Sequence, residues 1–148
     1  MEVSLLYIGE YQHTLDAKGR MFIPAKFREE LGDKFIVTFG LDRCLFVFSE
    51  EEFNKLKEKQ DSISIANKDA RQFGRFFFSG ACECEPDKQG RINLPARLLT
   101  YAGLEKDVTV VGVSNRLELW NSDKWNDQYN FENFSPDEIS EKMEALGL

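Results

Sequence analysis

From Leu5 to Thr14 the chain alternates, with Tyr7, Gly9, Tyr11 and His13 set against Ile8, Glu10, Gln12 and Thr14, which predicts a strand. Asp16 to Gly19 reads as a turn, because Asp can accept from backbone amides ahead of it and Gly takes positive φ without steric cost. Arg20 to Ile23 gives a short return strand, and Pro24 opens a helix that runs to Leu31 and stops at Gly32. Two apolar runs follow, Phe35 to Phe39 and Cys44 to Phe48, joined as a hairpin through Gly40-Leu41-Asp42-Arg43. Ser49 with Glu52 forms a capping box for a helix from about Glu50 to Gln60. Asp61 to Asn67 is the best candidate for a linker. In the next helix Phe73, Phe76 and Phe77 fall at i, i+3, i+4 spacing, a stripe that fits core packing and could also meet another subunit. Strands are then predicted at Ala81 to Glu85, Arg91 to Leu94, Asp107 to Val113 and Leu117 to Trp120. Helices are predicted at Pro95 to Tyr101, Ser122 to Asn130 and Pro136 to Leu146, the last behind a second capping box at Ser135 to Glu138 and amphipathic through Ile139, Met143 and Leu146.

This order of elements occurs twice because the sequence itself is written twice. Asp16-Ala17-Lys18-Gly19-Arg20-Met21-Phe22-Ile23-Pro24-Ala25-Lys26-Phe27-Arg28 returns 71 residues later as Asp87-Lys88-Gln89-Gly90-Arg91-Ile92-Asn93-Leu94-Pro95-Ala96-Arg97-Leu98-Leu99. Tyr7 and Gly9 fall on Phe78 and Gly80, and Gly32 falls on Gly103. With an offset of 72, Gly40 falls on Gly112, Leu45 on Leu117, Val47 on Leu119, Phe48 on Trp120 and Phe53 on Trp125. Two copies are too few for a solenoid, so they are expected to pack as a pseudo-twofold pair around one shared core. The expectation is a single duplicated domain over residues 1–148. It comprises a first repeat with its helix (7–60), a connecting helical segment (61–77), a second repeat (78–130) and an acidic C-terminal helix (131–148). The fold class is α+β, a mainly β core with peripheral helices.

Length and composition agree with this. A chain of 148 residues that is 42% hydrophobic and 13% aromatic can bury a core without staples. It lacks a run of the ~20 apolar residues that a membrane span needs, and its first residues lack the pattern of a signal peptide, so a cytoplasmic location and no membrane partner are expected. Three cysteines without framework spacing fit a reducing compartment. A metal site would have to gather Cys44, Cys82, Cys84 and His13, but Cys-x-Cys is not the usual opening of a zinc site, and the thiols read as small apolar filler. No metal, cofactor or small-molecule substrate is expected.

The formal charge of −7 taken alone argues against a polyanion partner, yet the signs are segregated. Residues 121–148 carry seven acids against Lys124 and Lys142, whereas residues 12–28 carry Lys18, Arg20, Lys26 and Arg28 against Asp16 alone. No nucleophile elbow, phosphate loop, zincin motif or dinucleotide fingerprint is present, and the chain has one His, so no enzyme activity is expected. What stands out is an Asp and an Arg four apart around a Gly turn, presented twice. Each pair could simply brace its turn. A braced Arg is also a preoriented guanidinium, able to bond a phosphate or the O6 and N7 acceptors of guanine.

The Asp-x-x-x-Arg motif, duplicated in a chain of this length, resembles the MraZ family of bacterial transcriptional regulators, relatives of the AbrB-type swapped-hairpin DNA binders. The likeness extends over Ile8-Gly9-Glu10-Tyr11, both motifs, Asp69-Ala70-Arg71, Phe77 to Ala81, and Gly112 to Trp120. Met1 to Leu6 precede the usual start of such proteins and read as an alternative start or an extension.

The resemblance implies a double-split β-barrel built from both copies and a closed ring-shaped homo-oligomer, an octamer or a dodecamer. It also implies a nucleoid-associated regulator, usually a repressor, that binds short direct repeats in double-stranded promoter DNA upstream of the division and cell-wall gene cluster. Carried onto this chain, the binding residues are Asp16, Lys18 and Arg20, and Asp87, Lys88 and Arg91. Lys26, Arg28, His13 and Thr14, with Arg97 at the place of Lys26 in the second copy, are secondary contacts. Because Gln89 and Leu99 stand where the first copy has Lys18 and Arg28, the first copy is expected to carry more of the affinity. The rival reading is an oligomeric protein-interaction scaffold with no specific DNA binding.

Overall fold

A computed structural model describes residues 6–129 and 131–148. Among them the chain forms an α+β fold with eight strands and six α-helices. The first repeat contributes β1 (Glu10–Thr14), β2 (Arg20–Phe22), α1 (Ala25–Leu31), β3 (Phe35–Phe39), β4 (Leu45–Ser49) and α2 (Glu50–Asp61). After α3 (Lys68–Ser79) the second contributes β5 (Cys82–Cys84), β6 (Arg91–Asn93), α4 (Ala96–Ala102), β7 (Asp107–Gly112), β8 (Leu117–Asn121) and α5 (Ser122–Gln128), and α6 (Pro136–Ala145) follows.

The strands pair across the repeats. One six-stranded antiparallel sheet has the order β1-β7-β8-β4-β3-β5, and β2 pairs with β6 in a separate two-stranded ribbon. The first strand of each copy has therefore left its own unit and lies along the third strand of the other, β1 on β7 and β5 on β3. Exchanging equivalent strands turns the sheet order into its own reverse, the mark of a pseudo-twofold axis. That axis runs through the Met21–Ile92 pair of the ribbon and the Phe46–Glu118 pair at the sheet centre. Strand pairing among the described residues gives an open sheet edged by β1 and β5, together with the ribbon, rather than one closed ladder.

Alternation along the strands explains why the sheet needs cover on both faces. Leu45 and Val47, with Leu117 and Leu119, face a core shared with Met21, Ile23, Phe27, Ile92, Leu94 and Leu98 from the ribbon and from α1 and α4. The alternate set, Phe46, Phe48 and Trp120, faces a second cluster with Phe77 and Trp125, packed on by Phe53 of α2. Of the aromatic stripe of α3, Phe77 is buried inside the chain, Phe76 is half-buried and Phe73 stays exposed. The Phe77 ring lies 5.0 Å from Phe73, 5.9 Å from Phe53 and 6.0 Å from Phe48, and Phe76 lies 5.2 Å from Phe39. Full burial of such a ring, as at Phe77, contributes roughly 1.5–3 kcal/mol. Thr38, fully buried, donates to the Phe77 carbonyl at 2.6 Å and ties the end of α3 to β3.

Several sequence expectations change. The strand predicted from Leu5 reaches only back to Glu10, because Gly9 adopts φ +95° and breaks it, leaving Tyr7 bridged to Ser114; residues 1–5 lie outside the described residues. The end predicted for the Ser122 helix, Asn130, is also outside them, and α5 stops at Gln128. Ser49 does cap α2, accepting from Glu52 N–H at 3.2 Å, whereas Ser135 makes no side-chain cap, so its capping box is not formed. The pairing of Gly40 with Gly112 is off by one. Phe35 opposes Ser49 and Cys84 as Val108 opposes Asn121 and His13, which sets β3 and β7 73 residues apart and Gly112 at the place of Phe39.

This exchange has a direct consequence for stability. A fragment spanning 6–76 holds β1 and β2 without β7 and β6, and is expected to show no cooperative unfolding as a monomer in urea, while the full chain melts cooperatively. A monomeric fragment with a sharp transition would contradict the pairing described above.

Candidate nucleic-acid interface

Both Asp-x-x-x-Arg motifs form the same tight turn, down to single hydrogen bonds. In the first, Gly19 N–H donates to the Asp16 carbonyl at 3.1 Å and Asp16 N–H donates to the Arg20 carbonyl at 2.9 Å. The Asp16 carboxylate then takes three donors. Oδ1 accepts from Lys18 N–H at 2.9 Å and Arg20 N–H at 3.0 Å, and Oδ2 accepts from Arg20 Nε at 2.7 Å. In the second, Asp87 Oδ1 accepts from Gln89 N–H and Arg91 N–H, both at 2.9 Å, and Oδ2 accepts from Arg91 Nε at 2.9 Å. Gly19 and Gly90 sit at φ +76° and +84°, a conformation that costs a side-chain-bearing residue and so requires Gly here.

The pair engages only Nε of each Arg. A guanidinium carries five N–H donors, so the four on the two terminal amino groups are left to bind an external acceptor in a fork of fixed plane. The carboxylates are exposed, where an ion pair adds little to stability. Orientation is what the pair supplies. The backbone amides of Arg20 and Arg91, foremost among these bonds, hold both aspartates below their ordinary value of 3.8, so they stay ionised and keep hold of the Arg at neutral pH.

The ribbon sets the two turns relative to each other. Arg20 opposes Asn93 and Phe22 opposes Arg91, while Met21 and Ile92 between them point into the core. Arg20, Phe22, Arg91 and Asn93 therefore share the outer face, with a turn at each end. Phe22 is 48% exposed there. Phe22 and Asn93 were not among the residues singled out from the sequence, although the inward fate of Met21 and Ile92 at period two would have placed them beside the arginines.

The secondary candidates are dispersed. Lys18 and Lys88 are exposed on the turns themselves. Lys26 reaches the Tyr11 hydroxyl at 3.5 Å, and Arg97 donates to the Ser79 carbonyl and lies 5.9 Å from the Phe39 ring, so both are occupied away from the turns. His13 and Thr14 lie on the edge strand β1. Partial burial lowers the His13 pKa from 6.5, so it is neutral at pH 7 and brings no positive charge. Arg28 leaves its own repeat and lies on the turn of the second, its guanidinium standing where a Cβ on Gly90 would be. The residues considered for a metal are spread apart. Cys44 belongs to one face of the sheet and Cys84 to the other, and His13 and Cys82 are on opposite edge strands. Burial pushes the Cys44 and Cys84 thiols up, away from the reactive thiolate.

A carboxyl titration checks the brace. Depressed folded-state pKa values mean that the stabilisation from Asp16 and Asp87 is complete above about pH 3.8 and is lost as pH falls through their lower native values. NMR titration should give midpoints below 3.8 for both, and Arg20→Ala should raise Asp16 while leaving Asp87 in place. Midpoints at or above the ordinary value would show that the turns are not braced as described.

Two further observations bear on ancestry. A family model described as "MraZ protein, putative antitoxin-like" matches twice, over residues 6–76 and 77–145. The chain is 53% identical over 143 residues to a protein of Alkaliphilus metalliredigens, and 55% identical over 143 residues to one of Acetivibrio thermocellus. Each alignment covers 97% of this chain and 100% of the relative. A protein of Carboxydothermus hydrogenoformans is 55% identical over 138 residues, 93% of this chain and 96% of its own. All three relatives carry the name "Transcriptional regulator MraZ". With the family's pattern matched in both halves and identity above one half along nearly the whole chain, the protein belongs to the MraZ family.

Proposed function

We propose that this protein is a sequence-specific DNA-binding transcriptional regulator rather than an enzyme, and that the ribbon face with its two braced turns meets the duplex. The observation that carries the reading is the pair of Asp-held guanidinium groups, Arg20 and Arg91, at the two ends of one exposed ribbon face. Along the strands they are offset by two residues, about 7 Å, close to two steps of a duplex that rises about 3.4 Å per nucleotide. Arg20 and Arg91 read guanine edges or grip phosphates, and Lys18 and Lys88 add charge. Phe22, exposed between them, is suited to apolar contact with a thymine methyl.

The family resemblance extends the proposal. Short direct repeats upstream of the division and cell-wall gene cluster are the target, repression is the effect, and a ring-shaped homo-oligomer is the binding form. The exchanged first strands and the ribbon over the sheet support its reading as a double-split barrel. One module with a few phosphate contacts binds weakly at physiological salt, so a ring that offers several modules to spaced repeats gains through effective concentration. The acidic segment 121–148 opposes non-specific attraction, which favours the sites that both arginines can engage.

Titration of promoter DNA at several salt concentrations tests the reading. Wild type should bind with a steep salt dependence, and Arg20→Ala with Arg91→Ala should weaken binding and lower the log–log slope by roughly one unit per lost phosphate contact. Equal binding by the double variant would remove the ribbon face from the interface. No binding by wild type would favour a protein-interaction scaffold.

A further inference from the structure

The two turns differ in what packs against them, and the difference crosses the repeat boundary. Against Gly19 lies the Leu99 side chain, its Cδ1 3.2 Å from where a Cβ on Gly19 would be. Against Gly90, at the symmetry-related place, lies the Arg28 guanidinium, with Cζ 3.0 Å from the corresponding point. Arg28 and Leu99 are equivalent residues 71 apart, so each copy's first helix covers the other copy's turn. The charge deficit read from sequence is thereby redistributed. The second turn lacks the Lys18 equivalent, having Gln89, but it receives the arginine that the first copy's helix carries.

The electrostatics give this arginine a task. The surface pocket at the second turn is lined by Asp33, Glu85 and Asp87 as well as Lys88, Gly90 and Arg28. At the first turn Thr14 and Leu104 replace Glu85 and Asp33, and Lys18 and Arg20 outweigh Asp16. Without Arg28 the second turn has Lys88 and Arg91 against three carboxylates, which would repel a phosphate. With it, the loop is neutral. Among the described residues no carboxylate forms an ion pair with the Arg28 guanidinium, so its donors are available to an incoming anion at Gly90, the residue before Arg91 in the chain.

The geometry points to Arg28 as a DNA-contacting residue of the second module, a composite site in which α1 of the first repeat supplies the phosphate ligand that the second turn lacks. This rests on the DNA-binding reading above and reverses the sequence-based expectation that Arg28 strengthens the first copy. Arg28 and Arg91 grip neighbouring oxygens of one backbone, and Arg20 works apart from them with Leu99 as a neutral lid.

A double-mutant cycle on the full chain decides it, with a short promoter duplex read by fluorescence anisotropy and thermal melts confirming that each variant is folded. Arg28→Ala should weaken binding about tenfold, and Arg28→Leu, which copies the lid of the first turn, should do the same. Together with Arg91→Ala the further loss from Arg28→Ala should fall to about twofold, since residues sharing one contact are not additive, whereas with Arg20→Ala the losses should multiply. Coupling to Arg20 in place of Arg91, or wild-type affinity in Arg28→Ala, would overturn the composite site while leaving the function intact. Wild-type protein that does not bind the duplex would sink the function itself, and this inference with it.

Discussion

Each turn depends on one carboxylate that answers three donors, two from the backbone of the loop and one from the arginine side chain at its end. Because the same oxygens close the turn and hold the guanidinium, loop geometry and arginine direction cannot vary independently. A lysine in place of the arginine would offer a flexible point charge with no Nε to be held, and an alanine in place of the glycine would oppose the positive φ on which the closure rests. The ribbon puts the turns at opposite ends of one face, and the core beneath Met21 and Ile92 fixes that ribbon to the sheet.

The exchange of strands explains how a duplicated chain makes one rigid frame instead of two tethered units. Among the described residues every ladder except the β3–β4 and β7–β8 hairpins joins one repeat to the other, so neither copy can be displaced without breaking backbone pairing. Departures from symmetry are where function can differ between the copies. Glu118, at the place of Phe46, accepts from Arg116 at 2.8 Å and from Trp120 Nε1 at 3.0 Å, filling with a satisfied ion pair the space that an aromatic ring fills in the first copy. Arg28 against Leu99 is the same kind of departure, placed at the turns.

The turns themselves were legible in sequence because their chemistry is local: an Asp, a Gly three residues on and an Arg after it determine the closure with little help from elsewhere. The helices were legible for the same reason, through Pro24 and Pro95 at their starts and Gly32 and Gly103 at their ends. What could not be read was non-local. Nothing in the alternation of β1 says that its partner is β7, and the one-residue slip between Gly40 and Gly112 shows only in the register of the ladders. In sequence Arg28 reads as a cation next to the first motif, whereas in the structure it lies against the turn of the second, a placement that depends on the exchange and that no spacing along the chain encodes.

The account stands on orientation outweighing charge at these turns, and replacing both aspartates by asparagine separates the two. Asp16→Asn with Asp87→Asn removes two negative charges from the face proposed to meet DNA, so simple Coulomb attraction would tighten DNA binding, while the loss of the charged acceptor frees Arg20 and Arg91 to wander. Measured against wild type on the same promoter duplex at constant salt, the account predicts that the double variant binds more weakly. Tighter binding would contradict it.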